Sequence, residues 1–274
     1  MDYRKLANWQ KVPELAKLKD LSTPPKEIFY IGNWDPNIFT SCVAVVGSRR
    51  MTNYGRQVLE KIIPQLVFAK KTIVSGFMYG VDQYAHEVCV QNGGKTIAVL
   101  GWGIDYRLCG YDLKLCQKII KTGGLVISEW RTQKPTLWTF PARNRIVAAI
   151  ADQVIIVEAA VKSGSLITAR IAAKLKRKIW AVPGPITSRT SQGTNALIAA
   201  NRAKMYLTQL KPEPKLVTNP DPILDLLINE SLTADEISRK LGKPIANIGA
   251  QLSLLSLSSQ LIERGGKYYL NDAS

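Results

Sequence analysis

Short apolar runs alternate with longer amphipathic stretches over most of the chain. The runs are Cys42–Gly47, Thr72–Ser75, Thr96–Leu100, Leu125–Ser128, Gln153–Glu158 and Lys178–Gly184. The strongest of them, led by Cys42–Gly47, is apolar on both faces, as a parallel strand covered by helices requires. Between the runs, apolar residues recur at helical spacing. Val58, Ile62 and Leu66 mark one face of a helix expected over Tyr54–Lys70, and further helices are expected up to Gln91, over Leu113–Thr122, over Leu166–Lys176 and from Gly193 to Lys204. Strand and helix in alternation predict an α/β domain built on a mostly parallel sheet. Ahead of it, residues 1–40 read as a polar, Pro-punctuated lead-in, with Ile28–Ile31 as a short edge strand.

Ligands of such sheets bind beyond the C-terminal ends of the strands, where the strand order reverses. Here those ends carry Gly47-Ser48-Arg49-Arg50, Ser75-Gly76, Gly101, Ser128 and Pro183-Gly184. A second concentration of polar chemistry lies in Phe140–Ile171. Phe140, Arg143, Asn144 and Arg145 open a helix, and Lys162-Ser163-Gly164-Ser165 joins the strand Gln153–Glu158 to the next helix. Helix N-termini present free N–H groups and a partial positive charge, so both places suit an anion, phosphate first. Neither matches a dinucleotide fingerprint or a phosphate-binding loop of the ATPase kind. Phe140 fits a stacking platform or the core. His86, four residues after Asp82, fits a buried structural role or a dyad with it, and the scattered Cys42, Cys89, Cys109 and Cys116 fit core packing.

Charge narrows the ligand. Lys and Arg number 37 against 21 Asp and Glu, a formal +16. A polyanion partner follows, nucleic acid or an anionic membrane, unless the charge serves solubility alone. Four dispersed cysteines and one histidine offer no metal-ligand spacing, and free thiols suit a reducing cytoplasm. No signal-like apolar core is present at the N-terminus.

Four prolines within 208–222 mark a linker, expected over residues 208–220. Residues 221–274 then read as a winged helix. Ile223–Ile228 forms one helix, a capping box at Thr233 and Glu236 opens the second, a third spans Pro244–Leu257, and Leu261–Leu270 makes a hairpin turning at Gly265-Gly266. Seven acidic and five basic residues leave this part at −2, so residues 1–220 hold +18. DNA affinity rests largely on phosphate neutralisation, so protein contact is as good a role for this unit as DNA contact.

The motifs taken together resemble the DprA/Smf family of bacterial DNA-processing proteins. They are VAVVGSRRMTNYG, SGFMYGVDQYAH, TIAVLGWGIDY, FPARNRI, VIIVEAAVKSGSLITARIA, IWAVPG and SQGTNALI, in this order across roughly residues 12–206. The resemblance implies an extended Rossmann-like, doubly wound domain (residues 41–207) with a C-terminal winged helix. It also implies a cytoplasmic, non-enzymatic homodimer that binds single-stranded DNA in a positive pocket and loads the RecA recombinase in natural transformation. The DNA-binding positions it implies are Gly47, Ser48, Arg49, Ser75, Gly76, Phe140, Arg143, Asn144, Arg145, Ser163, Gly164 and Ser165. The residue reading adds Arg50 and Lys162. No cofactor is expected.

The chain departs from the family pattern at several places. Met78 and Tyr79 stand where a small residue and Arg are common, Pro135–Thr139 holds no cation, and Tyr106–Gly110 replaces the usual turn. The forty leading residues are also too few for the helical domain many members carry. A second resemblance, weaker, is to Rossmann-like nucleotide phosphoribohydrolases, with Glu158 as an acid. Residues 160–168 lack their paired glycines and closing Glu.

Overall fold

The structure, a computed structural model, describes residues 2–207, 221–227, 230–258 and 260–271. The chain divides into two compact units, residues 1–208 and 209–274. The expected linker lies outside the described residues.

The first unit is a nine-stranded sheet. In chain order its strands are β1 Arg4–Lys5, β2 Phe29–Ile31, β3 Cys42–Val46, β4 Thr72–Ser75, β5 Thr96–Val99, β6 Leu125–Ser128, β7 Gln153–Ile156, β8 Lys178–Ala181 and β9 Lys204–Met205. They lie in the order β1-β2-β6-β5-β4-β3-β7-β8-β9. From β6 to β9 every pairing is parallel, while β1–β2 and β2–β6 are antiparallel. The helices are α1 Asn53–Phe68, α2 Val81–Gln91, α3 Gly110–Lys121, α4 Thr139–Ile150, α5 Ser165–Lys174 and α6 Gln192–Ala199.

Alternation along the central strands sorts the core into two layers. Cys42, Ala44 and Val46 of β3 join Val154 and Ile156 of β7 on the face covered by α4 and α5. Val43, Val45, Ile155 and Val157 point to the other face, against Leu59, Ile62 and Ile63 of α1 and Val81, Ala85 and Val88 of α2. The doubly wound α/β expectation is therefore met. The edge-strand expectation is corrected, because β2 is flanked by β1 on one side and β6 on the other. The lead-in also carries core residues: Trp9, Leu15, Leu18, Ile38 and Phe39 are buried with the α4 face, and the Trp9 indole donates to the Pro25 carbonyl at 3.0 Å. Its apolar residues sit in short 3-10 turns (Trp9–Lys11, Pro13–Asp20 and Pro36–Phe39), whose irregular spacing hides a buried face.

In the second unit, α7 Pro222–Leu227, α8 Ala234–Leu241 and α9 Ile245–Leu257 precede a hairpin of β10 Leu261–Arg264 and β11 Lys267–Leu270. The capping box forms as expected, with Glu236 N–H donating to Thr233 Oγ1 and Thr233 N–H to Glu236 Oε2. Ile223, Leu224, Ile237, Ile248, Leu252 and Leu261 supply a core of its own. Among the described residues no helix is long and apolar enough to cross a membrane.

Candidate functional site

The first strand of the parallel set, β3, has β4 on one side and β7 on the other, so the strand order reverses between β3 and β7. A cavity of about 730 Å³ opens there, at the C-terminal ends of the strands. Its walls are the β3–α1 turn (Gly47, Ser48, Arg49, Arg50), the β4–α2 turn and first residues of α2 (Met78, Tyr79, Asp82), the segment before α4 and its first turns (Leu137, Phe140, Pro141, Arg143, Asn144), the β7–α5 turn with the first residue of α5 (residues 160–165) and the loop after β8 up to the start of α6 (Arg189, Thr190, Gln192). Of the fourteen residues picked from sequence, eleven line this cavity: Gly47, Ser48, Arg49, Arg50, Phe140, Arg143, Asn144, Lys162, Ser163, Gly164 and Ser165.

The β3–α1 turn is held by close backbone packing. Gly80 has φ +87°, and a Cβ there would sit 2.4 Å from the Ser48 carbonyl oxygen and 2.6 Å from that of Arg49. Val81 N–H donates to the same Ser48 oxygen at 3.1 Å. Ser48 Oγ accepts from Arg50 N–H at 3.0 Å, a bond that does not use the hydroxyl's own proton. Arg49 is exposed, and its guanidinium lies 4.9 Å from the centre of the Phe140 ring. Phe140 in turn packs edge-on to Trp102 and against Gly101. The Phe140 ring therefore shelves Arg49, and one face that sequence offered for base stacking is taken.

Two predicted cations have other roles. Arg143 is 2% exposed and donates from Nη1 to the Val99 carbonyl, near the half-buried carboxylate of Asp82. It forms the cavity floor. Burial pushes the Asp82 carboxyl up to about 6, against the lowering influence of Arg143, the Ser75 hydroxyl and the Gly47 N–H. Burial likewise draws Arg143 down to about 10. Arg145 does not reach the cavity. It forms a two-pronged pair with Glu129 at 2.6 and 2.5 Å and donates to the carbonyls of Thr23 and Ala142. The reason is helical geometry: residues two apart project about 200° apart around α4, so Arg143 and Arg145 cannot share a face.

Ser75 and Gly76 also stand behind the wall. Ser75 is buried and donates to the Val45 carbonyl at 2.6 Å. A Cβ on Gly76 would fall 2.3 Å from Asp82 Oδ2 and 2.5 Å from Arg143 Nη2, so this glycine makes room for both side chains. His86 lies beneath, with Nε2 donating to the Gly76 carbonyl at 2.7 Å and Nδ1 2.7 Å from Thr96 Oγ1. Burial lowers it to about 4. That is the structural role, not the dyad.

In the β7–α5 turn, Ser163 Oγ accepts from Ser165 N–H at 3.3 Å, and Asn144 Nδ2 donates to the Gly164 carbonyl at 3.3 Å, tying α4 to the start of α5. Glu158, offered as an acid by the hydrolase reading, is 1% exposed. Its carboxylate accepts from Thr52 N–H, Thr52 Oγ1 and Thr190 Oγ1 at 2.9, 2.6 and 3.1 Å, latching the start of α1 to the loop after β8.

Sequence reasoning missed Tyr79, Leu137, Val161 and Arg189 as cavity residues. Arg189 was in reach of the strand-end rule, since it lies in the loop that follows β8. Exposed cations Arg49, Arg50, Lys162 and Arg189 thus surround an opening into which Asp82 is the sole lining carboxylate among the described residues. Such a rim, with a hydroxyl and backbone N–H groups between the cations, suits a phosphodiester chain.

The family model for DNA recombination-mediator protein A matches residues 8–212. The chain belongs to this family. It is 42% identical over 199 residues to the DNA processing protein DprA of Streptococcus pneumoniae, covering 69% of this chain and 70% of that protein. It is 31% identical over 249 residues to Protein Smf of Escherichia coli, covering 82% and 67%. Two solved family structures are similar. The X-ray structure of DprA from Streptococcus pneumoniae aligns with a TM-score of 0.65 and 35% identity over 75% of this chain and 71% of that one. DprA from Helicobacter pylori, whose structure concerns its single-stranded DNA binding mode, aligns with a TM-score of 0.66 and 32% identity over 75% and 91%. The family match spans the strand ends that build the cavity.

Proposed function

We propose that the chain binds single-stranded DNA through this cavity and acts in DNA processing as a recombination mediator. The observation that carries the reading is the ring of Arg49, Arg50, Lys162 and Arg189 at the strand-order reversal, joined to a family relative described by its single-stranded DNA binding. The phosphodiester backbone lies along the cations, and Ser48 and the start of α5 supply hydrogen bonds to its oxygens. In the fuller reading the protein works without catalysis as a cytoplasmic homodimer, protects incoming strands, and loads the RecA recombinase on them during transformation. The C-terminal helices and hairpin then form a winged helix that contacts protein or DNA.

The test is fluorescence anisotropy with a labelled single-stranded oligonucleotide over a salt series. The expected result is affinity that falls steeply with salt, and an Arg49→Ala/Lys162→Ala variant with weaker binding and a shallower slope. Salt-independent binding, or a double variant that binds like the parent, overturns the reading. A duplex of the same sequence is expected to bind less tightly. Removal of residues 221–274 is expected to leave single-strand binding in place. The RecA step is read from RecA ATPase activity on strands already coated with single-strand-binding protein.

A further inference from the structure

The cavity mouth carries an apolar cluster that the phosphate reading does not use. Tyr79 is 57% exposed, Leu137 is 89% exposed and Val161 is 62% exposed. They come from three separate elements, the β4–α2 turn, the segment before α4 and the β7–α5 turn, yet all three line the same cavity as Arg49 and Lys162. Exposed apolar side chains scattered singly need no explanation, but a group converging on one opening marks a binding surface. Among the described residues the Tyr79 ring carries neither a stacked ring nor a cation, whereas Phe140 and Tyr84 lie under Arg49 and Arg56.

The cluster is tied to the phosphate cradle. Gly80, next to Tyr79, packs on the Ser48 and Arg49 carbonyls so closely that no Cβ fits. The Val81 N–H bond to Ser48 fixes the same turn from its other side. Tyr79 therefore lines the cavity on a turn fixed to that of Ser48 and Arg49. A nucleotide joins an anion to a flat apolar face and so matches both features.

We infer that Tyr79, Leu137 and Val161 form a nucleobase subsite at the cavity mouth. An unpaired base of the strand stacks on the Tyr79 ring, with Leu137 and Val161 as apolar walls, while its phosphate lies on Ser48 and Arg49. This inference rests on the single-strand reading above. Stacking is sequence-tolerant, because every base has a π face.

The experiment compares the full chain, Tyr79→Ala, Tyr79→Phe and Leu137→Ala on two labelled oligomers of equal length, one of thymidine nucleotides and one of abasic sugar-phosphate units. Tyr79→Ala is expected to weaken binding of the thymidine oligomer by at least about fivefold. The same change is expected to leave the abasic oligomer within about twofold and the salt slope unchanged, since no phosphate contact is lost. Tyr79→Phe is expected to keep the parent's affinity, and Leu137→Ala to show a smaller loss confined to the thymidine oligomer. Equal loss on both oligomers, or no loss on either, overturns the base subsite while the strand reading stands. No binding of either oligomer by the unaltered chain sinks the strand reading and the subsite with it.

Discussion

The guanidinium of Arg49 rests over the ring of Phe140, 4.9 Å from its centre, although 90 residues separate them in the chain. The contact aims a mobile cation at the cavity. Phe140→Leu keeps an apolar side chain against Gly101 and Trp102 and removes the π face. It is expected to weaken single-strand binding about two- to tenfold without altering the number of phosphates engaged. Anisotropy titrations at two salt concentrations check this, because a changed slope would assign Phe140 a different role.

Arg145 and Arg49 are expected to separate cleanly. Arg49→Ala should lower the salt slope of binding by about one, the signature of one lost phosphate contact. Arg145→Ala should leave the slope as it is, because its guanidinium is committed to Glu129, Thr23 and Ala142. Its effect should appear instead as a lower unfolding midpoint.

Arg143 lies buried in the cavity floor with the half-buried Asp82 carboxylate nearby, so a change at either residue alters the field at the other. Arg143→Met is expected to destabilise the first unit, because the buried Val99 carbonyl loses its Arg143 donor, and the double change Asp82→Leu/Arg143→Met by less than the sum of the single changes. All six tryptophans lie in residues 1–208, so their fluorescence during urea unfolding reports this unit alone.

Asp82 and His86 set opposing pH responses. Folded Asp82 is raised from 3.8 to about 6, so it holds a proton that the unfolded chain releases, and its contribution weakens as pH rises through that window. Folded His86 is lowered from 6.5 to about 4, so the unfolded chain takes up the extra proton and stability falls as pH drops through that window. His86→Gln is expected to reduce acid destabilisation between 6.5 and 4. Asp82→Asn is expected to steepen it, because the opposing slope is gone. Urea midpoints measured across that interval check both signs.

Gly80→Ala is expected to cost more than about 1 kcal/mol and to weaken strand binding, since its Cβ meets two cradle carbonyls at a positive φ. Gly164 is the contrast: its φ is −61° and a Cβ there meets open space. Gly164→Ala is expected to leave the unfolding midpoint unchanged or slightly raised.

The order of strands and helices, and the end of the sheet where a ligand sits, were legible in the chain. Runs such as Cys42–Val46 and Gln153–Ile156 are apolar on both faces, and that pattern belongs to local sequence. So do the turn motifs around Ser48 and Ser163, and with them two of the cavity's walls. Which side chains look into the cavity was decided by packing. Arg143 and Arg145 are alike in sequence, yet α4 points one at Asp82 and the other at Glu129. Tyr79, Leu137 and Arg189 are unremarkable singly and converge because the segments after β4, β6 and β8 all leave the sheet at the same end. Apolar spacing sets what one element buries. The direction of a single charge depends on partners such as Glu129 and Asp82 brought to it from distant parts of the chain, and only the tertiary structure supplies those.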